Sequence, residues 1–305
     1  MKLLLLLNPS ASSVTARARV VIRKALSADH EVTVAETSRR GHALRLAQDA
    51  AAGDIDTVVV LGGDGTLNEA ANGLAGTDTA LGVVPGGSTN VFARTIGMAD
   101  DPIEAAGQLL GALERDSCRR IGLGSVNGRY FLFHTGVGFD AAVVAQVEKR
   151  GELKRYAGHP LFVWAGFTTF FRHYDHSKPR FSVRHEPGGD VVDDGYLCLC
   201  FNSNPYTYLG SRPLNVAPDA DLERGLVAVT FRTLDAVRLL ALLASALGTG
   251  SWLRRHGKID YRTDLAALTV RGHGPFPYQV DGDYLGETEQ LELRHEPDAL
   301  TIVQP

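Results

Sequence analysis

Cysteine is scarce in this sequence, with three in 305 residues: Cys118, Cys198 and Cys200. Three thiols exclude a disulfide framework and point to a reducing compartment, so a cytoplasmic location is expected. Charge of one sign is also lacking. The 31 Lys and Arg stand against 35 Asp and Glu, a formal net charge of −4, which argues against a general nucleic-acid binder. No apolar run is long enough to span a bilayer. Leucines 3–7 stop at Asn8-Pro9, the length of a buried strand. The longest apolar stretch, 239–253, falls short of the ~20 residues a span needs and contains Ser245, Gly248, Thr249, Gly250 and Ser251. Internal repeats and low-complexity linkers are absent. A chain of this length buries about 75% of its unfolded surface and needs neither disulfides nor a structural metal to hold together.

What is present divides into two parts. In the first third, short apolar runs at 3–7, 31–35, 57–61 and 81–84 alternate with helical patterns at 16–26 and 42–52. Continuous apolar strands separated by helices imply a parallel sheet covered on both faces, an α/β domain. Further on, strands dominate, at 129–134, 196–201, 226–231, 267–271, 277–280, 291–294 and 300–303. Helical stretches are expected at 140–150, 160–174 and 234–247. The second part therefore reads as a largely antiparallel, β-rich domain. The change falls at 120–124. It divides the chain into a domain of residues 1–122, completed by about 288–305, and a domain of residues 123–287.

The strongest local signal is the strand Val58-Val59-Val60-Leu61 running into Gly62-Gly63-Asp64-Gly65-Thr66, then Leu67-Asn68-Glu69. Leu67, Ala70, Ala71 and Leu74 fall on one helix face. Glycines remove the Cβ atoms that would block a close ligand, and the helix N-terminus offers free N–H groups and the positive end of its dipole. That arrangement suits a phosphate, although a strand–turn–helix connection uses glycine for structural reasons as well. A second turn repeats it: Val83-Val84-Pro85 into Gly86-Gly87-Ser88-Thr89-Asn90, then Val91-Phe92-Ala93-Arg94. Two such turns at the carboxyl ends of successive strands share the sheet edge where ligands bind. The G-x-G-x-x-G and Walker patterns are missing, so phosphate charge must be offset by backbone amides, Arg94 or a metal ion.

Near the end of the chain, Tyr278-Gln279-Val280-Asp281-Gly282-Asp283 places two carboxylates two residues apart. Asp-Gly is a common hairpin turn, and spacing alone favours that reading. A carboxylate is also what phosphoryl transfer to an alcohol needs as proton acceptor.

Taken in order, Gly62-Gly63-Asp64-Gly65-Thr66 with Asn68-Glu69, Pro85-Gly86-Gly87-Ser88-Thr89-Asn90 with Phe92-Ala93-Arg94, Gly136-Val137-Gly138-Phe139-Asp140-Ala141, and Val280-Asp281-Gly282 resemble the diacylglycerol kinase catalytic-domain family, which includes bacterial diacylglycerol kinases and sphingosine kinases. The resemblance spans nearly the whole chain. It implies an N-terminal doubly wound nucleotide-binding domain, similar to those of 6-phosphofructokinases and NAD kinases, and a β-rich C-terminal lipid-binding domain. It implies ATP and Mg²⁺ as cofactors and a lipid at a membrane surface as substrate. ATP would lie between the domains. The positions matching nucleotide contacts are Asn8, Thr37, Gly62, Gly63, Gly65, Thr66, Glu69, Gly86, Gly87, Ser88, Thr89, Asn90, Arg94 and Asp283. Asp281 matches the family's proposed general base, and Asp64 the acid linked to magnesium nucleotide binding. Three departures stand out. Val91 replaces an Asp common in the family, and Arg120 replaces the acid of a common Asp-x-Gly. Arg224-Gly225 stands where bacterial members often carry Asp-Gly with a metal-binding Asp. Arginine is never a ligand of Mg²⁺, so no structural metal is expected at Arg224.

Two other readings remain open on sequence. The glycine turn is shared with kinases of soluble substrates such as NAD, and the missing acids at Val91 and Arg120 would suit a nucleotide-binding protein without catalysis. For membrane access, the segment from Lys149 to Arg180 carries seven basic residues against Glu152 and Asp175, and it includes Phe162, Trp164, Phe167, Phe170 and Phe171. That combination suits an anionic lipid surface; a core helix with a solvated edge is the weightier reading, because aromatic residues usually pack inward. Cys198 and Cys200 read as buried small hydrophobes, and His173 and His176 as polar residues at a helix end. His134, Asp140, Asn202 and Asn204 fit packing, capping and turn roles, or a place beside the site. An exposed edge strand could pair two copies into a homodimer.

Overall fold

The computed structural model describes residues 1–149, 168–169, 174–175, 177–186, 188–249 and 253–305. The chain forms two compact units, Met1–Leu123 with Pro297–Pro305, and Gly124–Glu296.

In the first unit, strands β1 (Lys2–Leu7), β2 (Glu31–Glu36), β3 (Thr57–Gly62) and β4 (Ala80–Pro85) are parallel, in the order β4-β3-β1-β2. Every residue of β3 and β4 is buried, as the continuous Val and Leu runs require of a sheet covered on both faces. Helices α1 (Ala16–Asp29), α2 (His42–Ala52) and α3 (Asp64–Leu74) connect the strands. The short α4 (Val91–Thr95) and α5 (Pro102–Glu114) follow β4. The start of α1 is capped by Thr15, whose hydroxyl accepts from the Ala18 N–H. Asp101 caps α5, accepting from the N–H groups of Ile103 and Glu104, with Pro102 in the first turn. The final residues of the chain return here: Ile302 lies parallel to Leu81, outside β4.

The second unit is antiparallel. Strands β5 (Cys118–Val126), β6 (Arg129–Phe131) and β7 (His134–Gly138) lead to α6 (Phe139–Glu148). Then come β8 (Phe181–Glu186), β9 (Val191–Gly195), β10 (Leu197–Phe201), β11 (Thr207–Leu209), β12 (Arg212–Leu214), β13 (Leu226–Phe231), α7 (Ala236–Ala246), β14 (Ile259–Leu265), β15 (Ala267–Val280) and β16 (Asp283–Val303). The main path runs β14-β13-β10-β7-β15-β16, with β8 and β9 branching from β15. The chain crosses between units within β5 and within β16. Strand β10 serves two cores at once. Cys198 and Cys200 face one with Phe181 and Phe276, and Leu197, Leu199 and Phe201 face the other with Phe139 and Tyr174. The two cysteines are buried and free, as expected of small hydrophobes, and burial pushes the Cys198 thiol up to about 12.

Several boundaries differ from the sequence expectation. The strand expected at 129–134 is two, broken at Leu132 and Phe133 because their N–H groups, with that of His134, turn to the Asp281 carboxylate. The runs at 267–271 and 277–280 are one strand with an irregular register between Arg271 and Phe276. Those at 291–294 and 300–303 are likewise one, β16. The helix expected at 160–174 falls almost entirely outside the described residues. The same holds for most of the basic and aromatic stretch and for His173 and His176. Among the described residues no helix is long and apolar enough to cross a membrane.

Candidate functional site

The glycine turns of the first unit follow β3 and β4, and the parallel register puts Gly62 beside Pro85. The turns pack directly on each other. A Cβ on Gly87 would lie 2.9 Å from the Gly63 Cα, and one on Gly86 would lie 2.6 Å from Val14 Cγ2 and 3.0 Å from the Gly62 nitrogen. Glycine is thus required here by backbone-on-backbone contact, a reason the sequence did not disclose. The Gly86 N–H donates to the Gly62 carbonyl at 2.8 Å, and the Gly87 N–H donates to Asn90 Oδ1 at 2.8 Å. Ser13, in the segment after β1, holds the second turn from the other side: its N–H donates to the Gly86 carbonyl and its hydroxyl to the Gly87 carbonyl. The amides of Gly86 and Gly87, expected to face a phosphate, therefore have internal acceptors. The helix α3, eleven residues long, starts at Asp64 after Gly63, which supplies no side-chain cap.

The other residues expected here divide clearly. Asn8 donates its side-chain N–H to Thr66 Oγ1 at 2.7 Å, which joins the end of β1 to the start of α3. Thr37 directly follows the neighbouring strand β2, its N–H on the Leu7 carbonyl. Ser88 and Thr89 form the tip of the second turn, Ser88 exposed and Thr89 half-buried, and Arg94 is half-buried in the last turn of α4. Three side chains take internal partners. Asp64 accepts from the N–H groups of Val91 and Phe92 and so caps α4. Glu69 accepts from Gly41 and Ala43 at the start of α2. The amide of Asn90, at φ 50°, closes its own turn and donates to Asp100. Where the sequence departs at Val91, the structure uses its backbone N–H. Arg120 donates to the Asp298 carbonyl, and Arg224 is exposed.

In the second unit, Asp281 and Gly282 form the two-residue turn between β15 and β16, closed by Val280 opposite Asp283. Both have positive φ, 47° and 80°, the hairpin geometry that Asp-Gly favours. The Asp281 side chain is not a solvated turn residue. It is 7% exposed, and its oxygens accept from the N–H groups of Leu132, Phe133 and His134 at 2.7, 3.0 and 3.1 Å. Three amide dipoles aimed at one carboxylate favour an anion there. Asp283 sits 3.9 Å from the Arg129 guanidinium.

A buried polar cluster backs this turn. Asp140, in the first turn of α6, accepts from the Tyr206 hydroxyl at 2.6 Å and from Gln279 Nε2 at 2.9 Å. Burial pushes its carboxyl up, and the two hydrogen bonds oppose that shift. Burial and the neighbouring Asp140 hold the Tyr206 phenol well above its ordinary range. The His134 ring is buried 4.4 Å from the Tyr206 ring and beside Phe133 and Phe201, and among the described residues neither of its nitrogens has a hydrogen-bond partner. Burial lowers it to about 3, so it is neutral at physiological pH. Ser13, Tyr206 and Gln279 were not singled out in the sequence. The one signal available was a lone Gln two positions before Asp281.

The model of the diacylglycerol kinase catalytic domain matches residues 2–126. Over 305 residues, 99% of this chain and 94% of the other, the sequence is 36% identical to a Pseudomonas aeruginosa protein named "Probable lipid kinase YegS-like". The chain belongs to the diacylglycerol kinase catalytic-domain family. It is also 39% identical over 121 residues, 39% of each chain, to the diacylglycerol kinase of Bacillus subtilis. A crystal structure of a diacylglycerol kinase from Bacillus anthracis matches the fold with a TM-score of 0.77 at 21% identity, over 100% of this chain and 97% of the other. As a member of this family the chain is a phosphotransferase.

The uncapped start of α3 fits the phosphates of a nucleotide. Mg²⁺ fits less completely. No group of three or more His, Cys, Asp or Glu side chains that could hold a metal occurs among the described residues, and both Asp64 oxygens already accept N–H groups. This donor set suits Mg²⁺ carried by nucleotide phosphates with at most one carboxylate, the usual arrangement for the ion in kinases.

Proposed function

We propose that the protein is an ATP-dependent lipid kinase that transfers the γ-phosphate to a hydroxyl of a lipid such as diacylglycerol or a sphingoid base. The observation that carries the nucleotide part is the N-terminus of α3, which has no side-chain cap and starts in a glycine turn packed on a second one. The lipid part rests on the relatives named for that activity. Gly63, Gly65 and Thr66 bind the phosphates at the N-cap and first turn of α3, and Asn8 orients the Thr66 hydroxyl. Asp64 fixes the second turn and α4 against that start, and would assist a nucleotide-borne Mg²⁺. The ion, when bound, would offset charge on the transferring phosphoryl group. The acceptor oxygen bonds to the γ-phosphorus while the bond from that phosphorus to its bridging oxygen breaks. The electron pair leaves with ADP, and Asp281 takes the hydroxyl proton.

The test is transfer of label from γ-labelled ATP to a panel of diacylglycerol, a sphingoid base and NAD, with and without Mg²⁺. The reading expects label on a lipid only when Mg²⁺ is present. Label on NAD alone would replace it with a soluble-substrate kinase, and ATP binding without turnover would replace it with a nucleotide-binding protein.

The same reading places a cytoplasmic enzyme at an anionic membrane surface. Support comes from Val237, Leu240 and Leu247, 77%, 56% and 42% exposed on and just after α7, followed by the exposed Arg254, Arg255 and Lys258. Apolar side chains beside basic ones are the composition of an interfacial segment. Sedimentation with phosphatidylglycerol-containing vesicles at low salt should fall for Leu240→Glu. Equal sedimentation of variant and wild type would remove this surface from the account.

A further inference from the structure

The Gln279 side chain holds the turn that carries Asp281 from behind. Gln279 is fully buried in β15, opposite Gly136 of β7. Its Oε1 accepts from the Gly282 N–H at 2.8 Å, and its Nε2 donates to Asp140 Oδ2 at 2.9 Å. The amide orientation is dictated by the Gly282 N–H, which can only donate and so takes Oε1, leaving Nε2 to Asp140. Asp140 is fixed in its own turn by the Tyr206 hydroxyl. Space for this arrangement exists because residue 136 is glycine: a Cβ there would lie 1.8 Å from Asp140 Oδ2 and 2.7 Å from Gln279 Nε2.

We propose that Gln279 is a positioning residue for the phosphoryl-transfer step: oriented by Asp140 and Tyr206, it pins the Gly282 amide and thereby fixes the left-handed turn that aims the Asp281 carboxylate. The inference rests on the reading of Asp281 as proton acceptor. Asp281 at φ 47° and Gly282 at φ 80° form a turn that Asp-Gly favours, and the bond from the Gly282 N–H to Gln279 ties that turn to the buried cluster. The three amides from 132–134 set the carboxylate from one side, and Gln279 sets the backbone from the other. Displacement of a reacting group by about 1 Å can cost 10²-fold in rate.

The experiment compares Gln279→Met, Gln279→Glu and Asp281→Asn in the full chain, with thermal unfolding, ATP affinity, and kcat and KM for lipid phosphorylation across pH. Gln279→Met keeps the volume and removes both hydrogen bonds. Its kcat should fall about 10- to 100-fold with ATP affinity unchanged. In Gln279→Glu an ionised carboxylate faces Asp140, and a protonated one restores one donor and one acceptor. Its kcat relative to wild type should therefore recover as pH is lowered from 8 to 6, at pH values where both proteins remain folded. If Gln279→Met does not fold, the Gln279→Glu profile decides. Wild-type kcat in Gln279→Met, or a Gln279→Glu profile parallel to wild type, beside an inactive Asp281→Asn, overturns the positioning role alone. An Asp281→Asn enzyme that phosphorylates lipid normally overturns the proton-acceptor reading, and this inference with it.

Discussion

Asp281 has two physical duties that a single substitution disturbs together. Its carboxylate satisfies three backbone N–H groups, and in the proposed reaction it receives a proton. Asp281→Asn keeps the size but turns an N–H₂ group toward donors, which costs about 1–3 kcal/mol of stability where one is left unmet. Its lipid-kinase rate should fall about 10²- to 10⁴-fold. Thermal unfolding and kcat measured on the same preparation separate the two effects, and a folded variant with near-normal turnover would end the catalytic assignment. His134 makes a second residue-scale prediction. Its ring is neutral in the fold, lowered to about 3, and titrates near 6.5 when exposed. Between those values the unfolded chain binds the additional proton, so stability is present above about pH 6.5 and is lost as pH falls. The loss is about 1.4 kcal/mol per pH unit. His134→Phe, which suits the aromatic neighbours, should flatten the pH dependence of unfolding between 6 and 4, and an unchanged slope would contradict the assignment. At this scale the sequence pointed to Asp281 through its turn motif. It could not show that Tyr206 and Gln279 meet Asp140, because partners 66 and 139 positions apart carry no local signature of contact.

At the scale of elements, the two glycine turns act as one object. Their spacing and strand–turn–helix setting were readable from hydrophobic runs and glycine placement. Their interlock was not, since it depends on β3 and β4 being neighbours in register. Gly87→Ala forces a methyl to 2.9 Å from the Gly63 Cα. It should cost about 1–3 kcal/mol and weaken ATP binding in an equilibrium titration, and unaltered affinity would show that the turns are not coupled. Asp64→Asn should cost about 1 kcal/mol through the lost cap of α4 even without nucleotide, read as a lower unfolding midpoint of the apo chain. The break between β6 and β7 makes the same point from the other direction. The apolar run 129–134 reads as one strand, yet a carboxylate more than 140 residues away takes the N–H groups that would have continued it.

For the whole molecule, the chain's last residues complete a unit begun by its first. Leu300, Ile302 and Val303 are fully buried. The Gly76 N–H donates to the Ala299 carbonyl, and the Gln304 N–H donates to the Ser117 carbonyl. Burying three such side chains contributes about 5–9 kcal/mol, comparable with the whole stability of a domain. Removing residues 297–305 should leave the chain unable to fold cooperatively, seen as loss of the thermal transition; a retained transition near the full-length midpoint would refute this. The α/β then β-rich order, the glycine turns and the acidic hairpin follow from the sequence itself, because periodicity, apolar runs and turn chemistry act over a few residues. Which groups each polar side chain meets was settled only by the tertiary structure. The amides around Asp281, the Asp140–Gln279 contact and the internal partners of Asp64, Glu69 and Asn90 join residues far apart in the chain, and burial makes each of those hydrogen bonds obligatory once the strands have chosen their neighbours.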